Sequence, residues 1–192
     1  MRIHEIVGGQ PTRQAIDKLH RHTAVGKITN LEQGLGFEQL DRGSYATVLV
    51  HPKLSYVIKL FDASDKGYQA FLKVVKANPD NPHFPKLRGQ PMNFGRWAGI
   101  RMERLQPYSL REFQDIEYML DHAFFYDNWR DAIKPNSIHS EFLEQWPEMG
   151  NALDALRRTL KTVGGIRVDW HQGNIMQRSD GTPVIIDPFA NR

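Results

Sequence analysis

The sequence predicts an α+β chain. A five-stranded antiparallel sheet with one helix occupies its first half, and a helical second half closes on a short strand hairpin. Three observations carry this expectation. From Phe37 to Phe61 the character is that of strands, with β-rich runs at Leu40–Val50 and Tyr56–Phe61 separated by turn signals. From Ser109 to Val163 the apolar residues recur at helical spacing instead. After Gly164-Gly165 two short apolar runs, Ile175–Gln177 and Pro183–Ile186, flank the turn Ser179-Asp180-Gly181.

In chain order, residues 11–25 (PTRQAIDKLHRHTAV) read as a short amphipathic helix opened by Pro11 and Thr12. It lies in an N-terminal helical extension over residues 1–36. His20-Arg21-His22 within it has no third ligand nearby and reads as a solvated turn rather than a metal site. Residues 37–105 form the sheet half. Leu40–Val50 is β-rich around Gly43, His51-Pro52-Lys53 turns the chain, and Tyr56–Phe61 is a further strand. A helix follows over 65–77, with Tyr68, Phe71, Leu72 and Val75 at i, i+3, i+4, i+7. Asn78-Pro79-Asp80-Asn81-Pro82 ends it. Strands around Lys86–Gln90 and Trp97–Leu105 are joined by the turn Asn93-Phe94-Gly95-Arg96.

Residues 106–192 form the helical half. Ser109-Leu110-Arg111-Glu112 has a capping-box form and opens a helix to about Phe125. Pro147, well placed as a first helical residue, opens another that runs to Val163. Its stripe is Met149, Leu153, Leu156, Leu160 and Val163. The aromatic group Phe124, Phe125, Tyr126 and Trp129 is expected in the core.

Composition narrows the function classes. A length of 192 residues suits one domain or one two-lobed unit. Hydrophobic content of 40% and charged content of 24% are those of a globular protein. With no cysteine, disulfides, thiolate catalysis and Cys-type zinc sites are excluded. The net charge is +3 and the pI about 9.2, with Arg157, Arg158 and Lys161 the densest basic group. That group reads as a solvated helix face or a phosphate contact, and nucleic acid is the least favoured partner. No apolar run approaches the roughly 20 residues of a membrane span. Met1-Arg2-Ile3-His4-Glu5-Ile6 brings charge too early for a secretory segment, so a cytoplasmic protein with no membrane partner is expected.

One stretch carries chemistry: Arg167-Val168-Asp169-Trp170-His171-Gln172-Gly173-Asn174, followed by Val184-Ile185-Ile186-Asp187-Pro188-Phe189. An Asp, an Asn after a short loop, and an Asp ending an apolar strand have the spacing of a phosphoryl-transfer site. A transferring phosphoryl group carries charge that Mg²⁺ and a fixed cation must neutralise. Magnesium is hard and prefers carboxylate and amide oxygens, which Asp187 and Asn174 offer. Asp169 can take the proton of an attacking hydroxyl.

The element order and these motifs resemble the protein-kinase-like superfamily in a minimal form, over about residues 37–190. Asp169-Trp170-His171-Gln172-Gly173-Asn174 is similar to the D-L-H-P-G-N of aminoglycoside and choline-type phosphotransferases, and Ile186-Asp187-Pro188 to their I-D-P. The resemblance implies ATP and Mg²⁺ as cofactors and a hydroxyl acceptor, small molecule or protein. It makes Asp169 the catalytic base, Lys59 the lysine that grips the nucleotide phosphates, and Asn174 and Asp187 the metal ligands. Gly43 and Ser44 fall in the phosphate-covering loop, and Val48 would pack on adenine. Met102 falls near the gatekeeper, with the backbones of Glu103 and Leu105 on the adenine edge. His83-Phe84-Pro85 resembles the turn before the family's fourth strand.

The chain departs from that pattern in places. Asp41 and Ala46 stand where flanking glycines belong, and Arg167 replaces the usual His two residues before the base. Residues 66–79 contain no acid, leaving Gln69 or Asp65 as the expected partner of Lys59. No activation segment is expected, because Pro188–Arg192 are all that follow Asp187 in this sequence. An acceptor site would come from residues 106–146, the N-terminal 36 or a partner chain. Each piece also has a plain structural reading: Lys59 as an edge-strand solubiliser, Gly43 as a β-bulge, Asp187-Pro188 as a turn, His171 as loop support. Two functions from different classes are therefore expected: a phosphotransferase, or a pseudokinase-type nucleotide-binding or partner-docking module without turnover. AMP transfer on the same scaffold is a third.

Overall fold

The computed structural model describes residues 36–42, 46–94 and 96–192. The predicted helix over 11–25 and the pair Gly43-Ser44 lie outside the described residues. The chain divides into two compact units. One holds the described residues up to Ser64 with Arg88–Arg104; the other holds Asp65–Leu87 with Leu105–Arg192.

The first unit is a five-stranded antiparallel sheet: β1 (Glu38–Arg42), β2 (Ala46–Val50), β3 (Tyr56–Asp62), β4 (Leu87–Phe94) and β5 (Trp97–Glu103), in the order β1-β2-β3-β5-β4. β3 lies in the middle and is buried along its whole length, which explains its near-continuous apolar run. Phe37, Leu49, Tyr56, Ile58 and Leu60 form a core cluster, with Leu54 and Trp97 packed against it. Among the described residues the β1–β2 register shifts between Gln39 and Asp41. At the far end of β3, Asp62 accepts hydrogen bonds from the Ser64 hydroxyl (2.7 Å) and from Arg96 Nε (3.1 Å).

The second unit contains four helices. In α1 (Lys66–Ala77) Tyr68, Phe71, Leu72 and Val75 are buried, as their spacing predicts. Asp65 caps it by accepting from the Tyr68 N–H at 3.0 Å. In α2 (Leu110–Phe125) Ser109 is the cap, accepting from the Glu112 N–H at 3.2 Å. α3 (Ile138–Gln145) was not expected. A reciprocal cap between Ser137 and Ser140 opens it, but it buries only Phe142, so no apolar stripe announces it. α4 (Pro147–Thr162) starts on Pro147 and buries Met149, Gly150, Ala152, Leu153, Ala155 and Leu156. Val163, the last of the expected stripe, caps the helix rather than belonging to it. It packs against α1, α2 and α3 and forms the centre of the unit.

Two expectations need correction. Phe124 and Trp129 are buried, but Phe125 and Tyr126 are exposed at 69% and 57%. Phe124 continues the inward line of Leu120, and each helical step of about 100° carries its neighbour outward. The basic group is also not simply a solvated face, since Arg157 and Lys161 both bond the Asp127 carboxylate.

Short strands close the unit: β6 (Gln106–Pro107), β7 (Ile166–Val168), β8 (Ile175–Gln177), β9 (Pro183–Ile185) and β10 (Phe189–Asn191). They form a three-stranded sheet, β6-β8-β9, and a two-stranded one, β10-β7. A helix between the third and fourth sheet strands, then helices and closing short strands, follow the element order expected from the sequence. Among the described residues no helix is long and apolar enough to cross a membrane.

Leu153 is fully buried where α4 meets its neighbours. Leu153→Ala is expected to lower the unfolding free energy by about 2–5 kcal/mol. Urea denaturation followed by circular dichroism measures it, and a loss under about 0.5 kcal/mol would contradict this placement of the core.

Candidate active site

The predicted acidic residues sit on the terminal hairpins of the second unit, and backbone hydrogen bonds hold them together. β7 leads into Asp169 and pairs antiparallel with β10, Val168 opposite Phe189 and Ile166 opposite Asn191. One residue past this ladder the Asp169 N–H donates to the Pro188 carbonyl oxygen at 2.9 Å. On the other side β9 pairs with β8, Ile185 opposite Ile175. Just beyond, the Ile186 N–H donates to the Asn174 carbonyl oxygen at 3.0 Å. Asp187 therefore lies between a residue bonded to Asn174 and a residue bonded to Asp169. Asp169, Asn174 and Asp187 are brought together.

The loop between Asp169 and Asn174 is braced from inside. Asn174 is buried, and its Nδ2 donates to the Asp169 carbonyl oxygen at 2.7 Å. The Asn174 N–H donates to the His171 carbonyl oxygen at 2.9 Å, closing a 3-10 turn over Gln172–Asn174. His171 Nδ1 accepts from the Gly173 N–H at 3.1 Å, the loop-support role expected of it. Gln172 Nε2 donates to the Tyr108 carbonyl oxygen at 2.9 Å. Trp170 packs edge-on against Phe124 with ring centroids 5.4 Å apart, and Phe124 in turn meets Phe189. Arg167, in place of the usual His, sits 3.8 Å from the Asp169 carboxylate. Both side chains are partly exposed, so this is a weak, salt-screened attraction.

The donor set suits a hard cation. Asn174 uses its Nδ2 on the loop, which leaves Oδ1 as the oxygen it can offer a metal. With the Asp187 carboxylate this makes one amide and one acidic oxygen. Among the described residues no group of three or more His, Cys, Asp or Glu side chains could hold a metal ion. A cation held by Asn174 and Asp187 would complete its shell with water and ligand oxygens, as Mg²⁺ does at phosphate sites.

The sheet unit carries the other predicted residues. Lys59 lies on β3 between Val48 of β2 and Ile100 of β5, and is 6% exposed. The edge-strand reading of Lys59 is thus excluded, since β3 is paired on both sides. Directly opposite residues share a face, and so do residues two apart on one strand. Val48, Lys59, Ile100 and Met102 therefore line one face, while Leu49, Ile58 and Leu60 of the core cluster line the other. Met102 is buried; Glu103, the last residue of β5, pairs with Tyr56. Leu105 begins the second stretch of the other unit.

Several residues outside the two motifs brace the hairpins. His83 is buried and its Nδ1 lies 2.8 Å from the Pro183 carbonyl oxygen, while the His83 carbonyl accepts the Ile185 N–H at 2.9 Å. Arg178 donates to the carbonyl oxygens of Pro82 and Phe84. The His83-Phe84-Pro85 turn is thus fastened to β9, the strand that delivers Asp187. Asp65, one of the two expected partners of Lys59, serves as the α1 cap. Tyr68 read as core and is buried. Burial holds its hydroxyl pKa well above the usual value, and the Asp187 and Asp65 carboxylates push it further up.

No family model matches the chain, and no curated protein matches it. Among solved structures it is similar to the kinase PK-1 of Cydia pomonella granulovirus, at 16% sequence identity and a TM-score of 0.44. The match covers 85% of this chain and 58% of that one, so the chain spans a little over half of that kinase's length. A likeness at that level leaves the site to be read from this chain's own residues.

Burial pushes the His83 pKa below its ordinary 6.5, an effect that Arg178 reinforces and the Pro183 carbonyl and Glu148 partly oppose. An unfolded chain binds the proton that the folded one refuses. The stability tied to His83 is therefore intact above about pH 6.5 and lost as pH falls through the lowered folded value. Between pH 7.5 and 5.5 the Tm of wild type should fall further than that of His83→Gln. Parallel Tm–pH lines for the two proteins would contradict this.

Proposed function

We propose that this chain is an ATP- and Mg²⁺-dependent phosphotransferase that moves the γ-phosphoryl group to a hydroxyl acceptor. The observation that carries the reading is the bracketing of Asp187 between the Asp169–Pro188 and Asn174–Ile186 hydrogen bonds, which gathers a base and two oxygen ligands on one braced hairpin. In the reaction the acceptor oxygen bonds to the γ-phosphorus and the bond to the bridging oxygen of ADP breaks. The Asp169 carboxylate takes the hydroxyl proton. Mg²⁺ held by Asn174 Oδ1 and Asp187 would neutralise phosphate charge. Lys59 supplies the fixed cation, and its burial on a central strand limits where its ammonium group can go. Val48 and Met102 offer apolar contact to adenine, the backbones of Glu103 and Leu105 its edge contacts, and Gly43 and Ser44 the loop over the phosphates.

The D-W-H-Q-G-N and I-D-P stretches favour a small-molecule hydroxyl as acceptor, with a protein hydroxyl next. A partner chain completing the acceptor site belongs to the same proposal. An ATP-consuming protein without cysteine fits the cytoplasm. A second reading, a nucleotide-holding module without turnover, is favoured by one observation. Asp41 and Ala46 stand where the flanking glycines of a phosphate-covering loop belong.

Asp169→Asn and Asp187→Asn should each reduce transfer from γ-labelled ATP by about 10²–10⁴-fold while the circular dichroism spectrum is kept. If neither substitution alters γ-phosphate transfer or autophosphorylation, the assignment is wrong. Thermal shift separates the second reading: stabilisation by ATP with no labelled product would favour it, and a mass gain of AMP on an acceptor would redirect the chemistry.

A further inference from the structure

Asp187 is fixed from upstream by Ile186, but its downstream anchor is the three-residue strand β10. A two-stranded ladder of that length is too short to be stable alone. The start of α1 supplies what it lacks. Asn191 Oδ1 accepts from the N–H groups of both Lys66 (3.0 Å) and Gly67 (3.2 Å). These are donors that a helix leaves unpaired in its first turn. The Asp65 carboxylate takes the Tyr68 N–H, so three consecutive first-turn donors are satisfied, two of them by a residue distant in sequence. Gly67 makes the approach possible. A Cβ there would stand 2.8 Å from the Phe189 carbonyl oxygen and 3.0 Å from its carbon, closer than side-chain carbons come to backbone. The next residue, Tyr68, is buried.

We propose that Asn191, with Gly67, is a positioning residue for Asp187, locking β10 to the first turn of α1 so that the metal-binding carboxylate is held from both sides. The inference rests on the phosphotransferase reading for the role of Asp187, and on geometry alone for the lock. The helix that follows the Lys59 strand is by this device fastened to the catalytic hairpin and cannot leave it without exposing two first-turn donors.

The test uses Asn191→Ala and Gly67→Ala, with Asn191→Asp as rescue, since a carboxylate accepts the same two bonds and suits a helix N-terminus. Amide hydrogen exchange is read in the full chain. In both disruptive variants the Asp169 and Ile186 amides should exchange faster by about fivefold, the scale of a lost cap, while Leu153 and Leu156 in α4 stay as protected as in wild type. Asn191→Asp should restore slow exchange. Unchanged Asp169 and Ile186 amides overturn the proposal, and so does equal acceleration throughout α4, which would mean general destabilisation. A second arm measures the Tm of each protein in ATP across a Mg²⁺ titration. The half-saturating Mg²⁺ should rise by about tenfold in Asn191→Ala and return in Asn191→Asp. A wild type that responds to Mg²⁺ beside an Asn191→Ala with the same requirement overturns the link to Asp187. A wild type with no Mg²⁺-dependent shift sinks the phosphotransferase reading, and exchange then decides the lock by itself.

Discussion

Two backbone hydrogen bonds, Asp169 to Pro188 and Ile186 to Asn174, are the constraint on which the rest of the site depends. Neither involves a side chain, so neither can be broken by exchanging one residue for another of similar shape. Each is worth only about 1 kcal/mol net. They hold because both sit where a strand pair has just ended: β7 with β10 on one side, β8 with β9 on the other. The ladders set the register, and the register decides which residues face each other across the loop. The side-chain bond from Asn174 to the Asp169 carbonyl then adds a brace within a loop already closed.

Such short strands need support, and the excursion 65–87 supplies much of it. It returns to the hairpins at three places: Gly67 against Phe189, His83 against Pro183 and Ile185, and Arg178 against Pro82 and Phe84. A fourth tie joins Asn81 Nδ2 to the Glu148 carbonyl at the start of α4. The helix and turn after the Lys59 strand thus belong structurally with the acidic residues rather than with the sheet that precedes them in sequence. In the sheet unit the organising fact is a division of faces: the core cluster on one side, Val48, Lys59 and Met102 on the other.

What could be read in advance followed from how directly a residue type states its role. α1 and α4 were legible because long apolar stripes at helical spacing have few other uses, and α2 because a cap precedes its stripe. The acid, amide and acid at residues 169, 174 and 187 could be singled out because carboxylate and amide oxygens are what a proton acceptor and a hard cation call for. α3 escaped because one buried phenylalanine makes no pattern. β7 and β10 escaped because a three-residue strand held by backbone alone, with Arg167 and Asn191 among its members, shows no alternation. Gly67 and Asn191 resemble ordinary turn and surface residues. Their significance lies in a close approach between segments 124 positions apart, which no local window contains.

The neighbour of Asp169 has a practical value. Trp170 lies with its ring edge-on to Phe124, and its indole nitrogen is buried. Tryptophan emission follows the polarity and rigidity of its surroundings, so the loop carries its own fluorophore one residue from the carboxylate of interest. The other three tryptophans sit on β5, beside Asp154, and at the α3–α4 junction, and can be replaced one by one. What remains is a label-free optical reporter of the segment between Asp169 and Asn174, suited to stopped-flow mixing.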